Sequence, residues 1–239
     1  MRLAFVGKGG AGKSTVAGTV CRQLARKGIP VLALDADTMP GLAFALGGPF
    51  TEARLPAGLA SREDGKGWQT KRGLRPSRLV DRYARCGPDA VRYLELGKLP
   101  GRVEPSVSVA FRYVLERFRR PGWAVVADLA AGTRQAMFGW TGPEARVIVV
   151  VDPSTASIMT ARRLLALSTH LVANRVRDGH DLERIQAAVP RPLLAAIPYD
   201  ESLIEAGQGR QAPVDAVPEA PAVRAIAKLT ARLGEEEGT

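Results

Sequence analysis

A doubly wound, mainly parallel α/β sheet flanked by helices is the fold this sequence predicts, on three observations. Short apolar runs rich in Val, Ile, Leu and Ala alternate with stretches of helical period, the pattern of strands buried on both faces. The first of these runs passes straight into a glycine-rich turn and then a helix. A hydrophobic content of 46% with 24% charged residues is that of a globular chain with a sizeable core. Strands are expected at 2–7, 31–35, 91–96, 123–128, 146–152, 170–174 and 193–197, and helices at 13–27, 105–119, 154–168, 181–188 and 218–233. The first helix stops at Gly28 and Pro30, and the helix 105–119 stops before Pro121-Gly122, residues that end helices rather than continue them. The last helix sets Val223, Ile226, Leu229 and Leu233 near one face, a stripe suited to docking on its own domain. The 239 residues are expected to form one domain, 1–239, with an irregular Arg/Gly/Pro-rich insertion at about 47–90 that shows no clear period.

Gly7 to Thr15 read Gly-Lys-Gly-Gly-Ala-Gly-Lys-Ser-Thr, with the spacing Gly7-x4-Gly12-Lys13-Ser14 between a strand and a helix. That context is what a phosphate-binding loop requires. Glycines take backbone angles that side chains forbid, and the N–H groups of Gly9, Gly10, Ala11, Gly12, Lys13, Ser14 and Thr15 can turn toward phosphate oxygens at a helix N-terminus. Lys13 is expected along the β- and γ-phosphates, Ser14 on Mg2+ and Thr15 toward the α-phosphate. The competing reading is a glycine-rich turn of no function.

Strand 31–35 leads into Leu34-Asp35-Ala36-Asp37, which sets two carboxylates beside that loop at the sheet edge where ligands bind in such folds. Asp35 either supports Mg2+ through a water molecule or caps a turn. Strand 123–128 ends in Asp128, followed by Leu129-Ala130-Ala131-Gly132. This segment resembles the second switch of phosphate-loop NTPases, which implies that Asp128 holds Mg2+ through water.

Composition narrows the function classes. No apolar run approaches the ~18 residues that span a bilayer, and the chain enters a strand at once, so a cytoplasmic protein is expected. Cys21 and Cys86 are too few for a disulfide framework, and His170 and His180 have no spaced partners for zinc. Cys21 reads as a small core residue of the first helix. The formal net charge is +10, and between Arg62 and Arg120 stand 15 Lys/Arg against 7 Asp/Glu. That field suits nucleic acid, an acidic protein or anionic lipid, or is simply a solvated surface.

Lys8, a second lysine inside the loop, together with these switches, resembles the deviant Walker A family of dimeric ATPases, which includes MinD, ParA and the nitrogenase iron protein. The resemblance implies a phosphate-loop NTPase fold with ATP/ADP and Mg2+ as cofactors. It implies that Lys8 crosses a homodimer interface to the partner's phosphates, unless it is a solvated surface lysine, and that Asp37 orients or deprotonates the attacking water. The Gly132 N–H would sense the γ-phosphate. Asn174 would bond the adenine edge and Pro198, in Ile197-Pro198-Tyr199-Asp200, would close over the base; both also read as ordinary turn residues. The segments 7–19, Leu34 to Asp37, Leu42 to Gly47, Leu94 to Lys98 and Ile197 to Glu201 resemble the CooC-type branch, which matures a metalloenzyme. That branch carries a metal-binding Cys-x-Cys pair, whereas this chain has Arg102 and Glu104 near those positions. Three readings stand: a maturation ATPase acting as a conformational timer on a client metalloenzyme, delivery of something other than a soft metal, or a ParA-like partner such as DNA. An acidic chain end, Gly234-Glu235-Glu236-Glu237, disfavours nucleic acid there, and the last helix lacks the bulk and lysine of a MinD-like membrane anchor. An ATP sensor with little turnover is the remaining alternative.

Overall fold

The computed structural model describes residues 1–39, 41–48, 50, 52–97 and 104–235. In chain order these form β1 (Arg2–Gly7), α1 (Lys13–Arg26), β2 (Val31–Asp35), α2 (Leu42–Leu46), β3 (Ala60–Glu63), β4 (Gly67–Thr70), α3 (Pro76–Tyr83), β5 (Arg85–Cys86) and β6 (Arg92–Glu95). There follow α4 (Pro105–Arg117), β7 (Ala124–Asp128), α5 (Arg134–Met137), β8 (Arg146–Val151), α6 (Thr155–Leu164), β9 (His170–Val176), α7 (Gly179–Ala188), β10 (Leu193–Pro198), α8 (Glu201–Gln208), α9 (Pro213–Ala216) and α10 (Pro221–Glu235).

The sheet runs β10-β9-β8-β1-β7-β2-β6-β5, parallel throughout except for the short edge pair β5 and β6. The expected doubly wound sheet is therefore present. Successive side chains of a strand point to opposite faces, so β1 sends Leu3 and Phe5 one way, and Ala4 and Val6 the other. Leu3 and Phe5 pack with Val16, Val20 and Leu24 of α1 and Ile226, Leu229 and Leu233 of α10. The opposite face is covered by α4 over β2, β6 and β7, and by α6 and α7 over β1, β8 and β9. The Ile226–Leu233 stripe thus docks on its own sheet, as its spacing predicts.

Element ends follow local chemistry. The helix expected at 181–188 begins two residues earlier, at Gly179, because the Asp178 carboxylate caps it by accepting the Asp181 N–H at 3.0 Å. The helix expected at 154–168 stops at Leu164, and the Leu167 and Ser168 N–H groups close in turns on the Leu164 carbonyl. The last helix starts at Pro221, a first-turn position where the missing N–H costs nothing, and runs to Glu235. The larger difference is in 47–90: it holds the antiparallel hairpin β3–β4, the helix α3 and the edge strand β5. Leu79 and Val80 of α3 join the apolar cluster around α4, which ties the segment to the domain.

Among the described residues no helix is long and apolar enough to cross a membrane. Cys21 is fully buried in α1, and burial pushes its thiol up and holds it unreactive, whereas Cys86 is exposed on β5. One equivalent of a thiol reagent is expected to react with the native protein and a second only on unfolding. Labelling followed by peptide mapping checks this, and early reaction at Cys21 would contradict the packing of α1.

Candidate active site

The loop after β1 is shaped by two glycines. At Gly7, with φ at +147°, a Cβ would stand 2.3 Å from the Val150 carbonyl oxygen, so the chain leaves the sheet hard against β8. At Gly12, with φ at +89°, a Cβ would stand 2.2 Å from Asn174 Nδ2. Gly12→Ala is accordingly expected to push the loop off its support, cutting ATP affinity at least ~10-fold and stability by ~1–3 kcal/mol. Calorimetric titration and thermal melting measure the two effects.

α1 starts at once after Gly12, and the Val16 N–H makes the first helical bond, to the Gly12 carbonyl at 3.0 Å. The amides of Lys13, Ser14 and Thr15 thus belong to the open first turn, whose positive dipole end meets no acidic side chain of its own. Lys13 is only 6% exposed, and its Nζ donates to the Lys8 carbonyl at 3.3 Å. The Lys8 ammonium lies outside the cradle and folds back on the Gly9 carbonyl at 3.1 Å.

Asp35 and Asp128 stand in register on neighbouring strands, both buried. Asp128 is 1% exposed, and its Oδ1 has no hydrogen-bond partner. Burial raises its pKa to about 6, against the Ser14 hydroxyl that donates to it and the Lys13 charge. An orphaned buried carboxylate oxygen next to a hydroxyl and an ammonium fits a hydrated divalent cation and a phosphate chain. Asp35 is engaged by the chain itself through both oxygens. Its Oδ1 accepts the Asp37 N–H at 3.1 Å, and its Oδ2 accepts the Leu42 N–H at 3.1 Å and the Tyr93 hydroxyl at 3.3 Å. Burial, then the Asp128 charge, raises its pKa well above the carboxylate range. Two of these three bonds, from the Asp37 and Leu42 N–H groups, fix the segment that carries Asp37.

Asp37 is half-buried and accepts the Met39 N–H at 3.0 Å. Gly41 passes close over Ser14, where a Cβ would come within 2.9 Å of the hydroxyl. Gln135, at the start of α5, bridges the two switch segments: its Oε1 accepts the Ala130 N–H and its Nε2 donates to the Ala36 carbonyl, both at 2.8 Å. Sequence reasoning missed Gln135, as it missed Tyr93, because neither carries a motif.

The Gly132 N–H, expected to face phosphate, donates instead to the Gly7 carbonyl at 2.9 Å. Contact with a γ-phosphate requires that bond to open. Asn174 Nδ2 donates to the Ala11 carbonyl at 2.8 Å and so props the loop from below. It also lines a cavity of about 270 Å³ with Gly12, Thr15, Pro198, Leu203 and Gln208, so Asn174 and Pro198, the two residues expected at the base, border the same space as two residues of the loop. Arg175, another residue the sequence reading passed over, has φ at +58° and donates to the Gly10 carbonyl at 2.7 Å. Its only signal in the sequence is its place next to Asn174. Lys8, Gly10, Asp152, Arg175, Arg177 and Tyr199 line a broader open depression of about 690 Å³ beside the loop.

A profile of the CobQ/CobB/MinD/ParA nucleotide binding domain matches residues 3–214. The chain is 29% identical over 264 aligned positions to the carbon monoxide dehydrogenase accessory protein CooC of Rhodospirillum rubrum, covering 100% of this chain and 99% of that one. It is 26% identical over 221 positions to a putative septum site-determining protein MinD of Nephroselmis olivacea, covering 83% and 73%. Among solved structures, MinD of Pyrococcus horikoshii complexed with Mg-ADP superposes with a TM-score of 0.68 at 20% identity, covering 99% of this chain and 96% of that one. The Aquifex aeolicus MinC:MinD complex gives 0.71 at 19%, covering 98% and 95%, and both likenesses speak to the fold. With its glycine-rich loop after a central parallel strand, and a family profile spanning most of its length, the chain belongs to the CobQ/CobB/MinD/ParA family of nucleotide-binding proteins.

Proposed function

We propose that the protein is a Mg2+-dependent ATPase that acts as a nucleotide-driven switch in a homodimer, in the service of maturing a client metalloenzyme. The observation that carries the catalytic part is the buried, unpartnered Asp128 Oδ1 between Ser14 and Lys13. Bound Mg2+ would neutralise charge on the β- and γ-phosphates. Ser14 and Asp128 would hold it, and the amides of Gly9 to Thr15 with Lys13 would hold the phosphates. Asp37 orients the attacking water and takes up its proton, while Asp35 fixes the turn that presents it. Gln135 ties the carbonyl just before Asp37 to the segment just after Asp128, so movement of one switch displaces the other.

Exposed Met39, Met137 and Phe138, at 80%, 63% and 66%, sit on the two switch segments, where a facing copy would cover them. The maturation role rests on the likeness to CooC. Arg102, one of the two residues near that branch's thiolate positions, lies outside the described residues. Glu104 caps α4 by accepting the Val107 N–H at 2.9 Å. A timer acting on the client therefore fits this chain better than thiolate-held cargo. The whole chain is proposed as one domain with 47–90 as its insertion. DNA is the less favoured partner: within the basic segment Arg120 pairs with Asp81, Arg112 with Glu116 and Arg119 with Glu144, so part of its charge is already neutralised.

Asp37→Ala is expected to keep ATP binding and lower phosphate release ~10²–10⁴-fold. Unchanged release would instead support an ATP sensor whose slow hydrolysis does not use this carboxylate. Hydrolysis that accelerates on adding DNA, with retention falling steeply in salt, would move the protein to the ParA-like reading.

A further inference from the structure

β10 is the last strand of the sheet, paired with β9 on one side and with no strand among the described residues on the other. An open strand edge offers backbone N–H and C=O groups to any extended chain. α10 runs antiparallel beside it. The Ala222 N–H near the start of α10 donates at 3.1 Å to Asp200, just past the end of β10, and Arg232 near its finish donates to the Leu194 carbonyl at the start of β10. Between strand and helix lies an open cleft of about 560 Å³, floored by Ala195, Ala196, Pro198, Ala225 and Leu229.

One wall of this cleft is a row of cations. Arg224, Lys228 and Arg232 follow each other at every fourth position of α10, all exposed, and no carboxylate lines the cleft. The side chains of Arg224 and Lys228 have no hydrogen-bond or ion-pair partner among the described residues. Four helical residues rise ~6 Å, and every second residue of an extended strand recurs after ~6.6 Å. Three cations along the helix therefore keep step with three alternate residues of a strand laid along β10, the mismatch of ~1 Å over the full row being well within the reach of Lys and Arg.

We propose that this cleft binds an extended acidic segment of a partner protein as an added strand on β10, its carboxylates at alternate positions on Arg224, Lys228 and Arg232. Three features fit a peptide better than a single-stranded nucleic acid. The floor is apolar, no aromatic ring lines the cleft to stack a base, and the strand edge has hydrogen-bonding groups that only a peptide backbone would match. Arg232 already covers one edge carbonyl, that of Leu194, which an incoming N–H would take over. Pro198 lacks an N–H and marks the end of the pairing edge.

The test is fluorescence anisotropy of the intact protein with a labelled Glu-Val-Glu-Val-Glu-Val-Glu peptide at low salt. Saturable binding is expected, weakened about tenfold or more, that is ~1.4 kcal/mol, in Arg224→Glu/Lys228→Glu. Both side chains are exposed and unpaired, so the variant should melt at the wild-type temperature and hydrolyse ATP at the wild-type rate. A peptide with every Val replaced by Pro, which cannot donate to the edge, should bind about tenfold more weakly than the parent. The proposal is overturned by absence of saturable binding, by equal binding of the Pro peptide, or by a twelve-residue oligothymidine that binds more tightly than the peptide and is lost in the same variant.

Discussion

Lys13→Ala is expected to abolish the stabilisation that Mg2+ and ATP confer on the folded protein. At ~100-fold excess over its dissociation constant, a ligand specific for the native state adds ~2.7 kcal/mol. For a domain of this size that is a rise in melting temperature of about 5–10 °C. Lys13 is 6% exposed, held by the Lys8 carbonyl and close enough to Asp128 to depress its pKa against burial. Its ammonium is thus a built part of the site rather than a surface charge. Removing it leaves the triphosphate without its buried counter-charge and leaves Asp128 facing the phosphates with no cation of the chain's own. The comparison is internal: each variant is melted with and without nucleotide, so a change in the stability of the free protein does not enter. A full nucleotide shift in Lys13→Ala would place the phosphate site somewhere other than the loop after β1.

How far such expectations reach depends on whether the determining interactions are local. The phosphate loop was legible because its glycines, lysine and flanking strand and helix are all contiguous, and because β1, β2, β7 and β8 are buried on both faces and so write unbroken apolar runs. The hairpin β3–β4 was not legible. Ala60 is its one buried residue, and Arg62, Glu63, Gly67 and Gln69 stand exposed, so neither strand shows an alternation to read. α3 buries only Leu79 and Val80, and α8 only Ala206, too few for a helical period to emerge. Within the site, Ser14 was readable from spacing and Asp128 from its resemblance to a switch, but one partner that holds Asp35, Tyr93, lies 58 residues along the chain. Gln135 reaches Ala36 across 99 residues of sequence and Asn174 reaches Ala11 across 163, contacts that only the folded sheet creates.

Lys8→Ala is expected to leave ATP affinity within about threefold of wild type while lowering turnover ~10³-fold, the scale on which a cation lent across an interface contributes to phosphoryl transfer. The structure gives the reason for separating it from Lys13. Lys8 Nζ lies outside the cradle, resting on the Gly9 carbonyl, at the rim of the open depression that also holds Arg175. A side chain so placed adds little to holding phosphate within one copy and is well positioned to meet a second copy. If it acts in trans, two inactive variants should rescue each other. In a mixture of Lys8→Ala with Asp37→Ala, a heterodimer contains one site with an intact Asp37 that receives Lys8 from the other copy. With equal mixing, half the dimers are of this kind and each has one working site, so turnover should return to about a quarter of wild type for a two-fold symmetric pair. A mixture no more active than its components would show that Lys8 serves its own loop, and a loss of ATP binding in Lys8→Ala alone would lead to the same conclusion by a separate measurement.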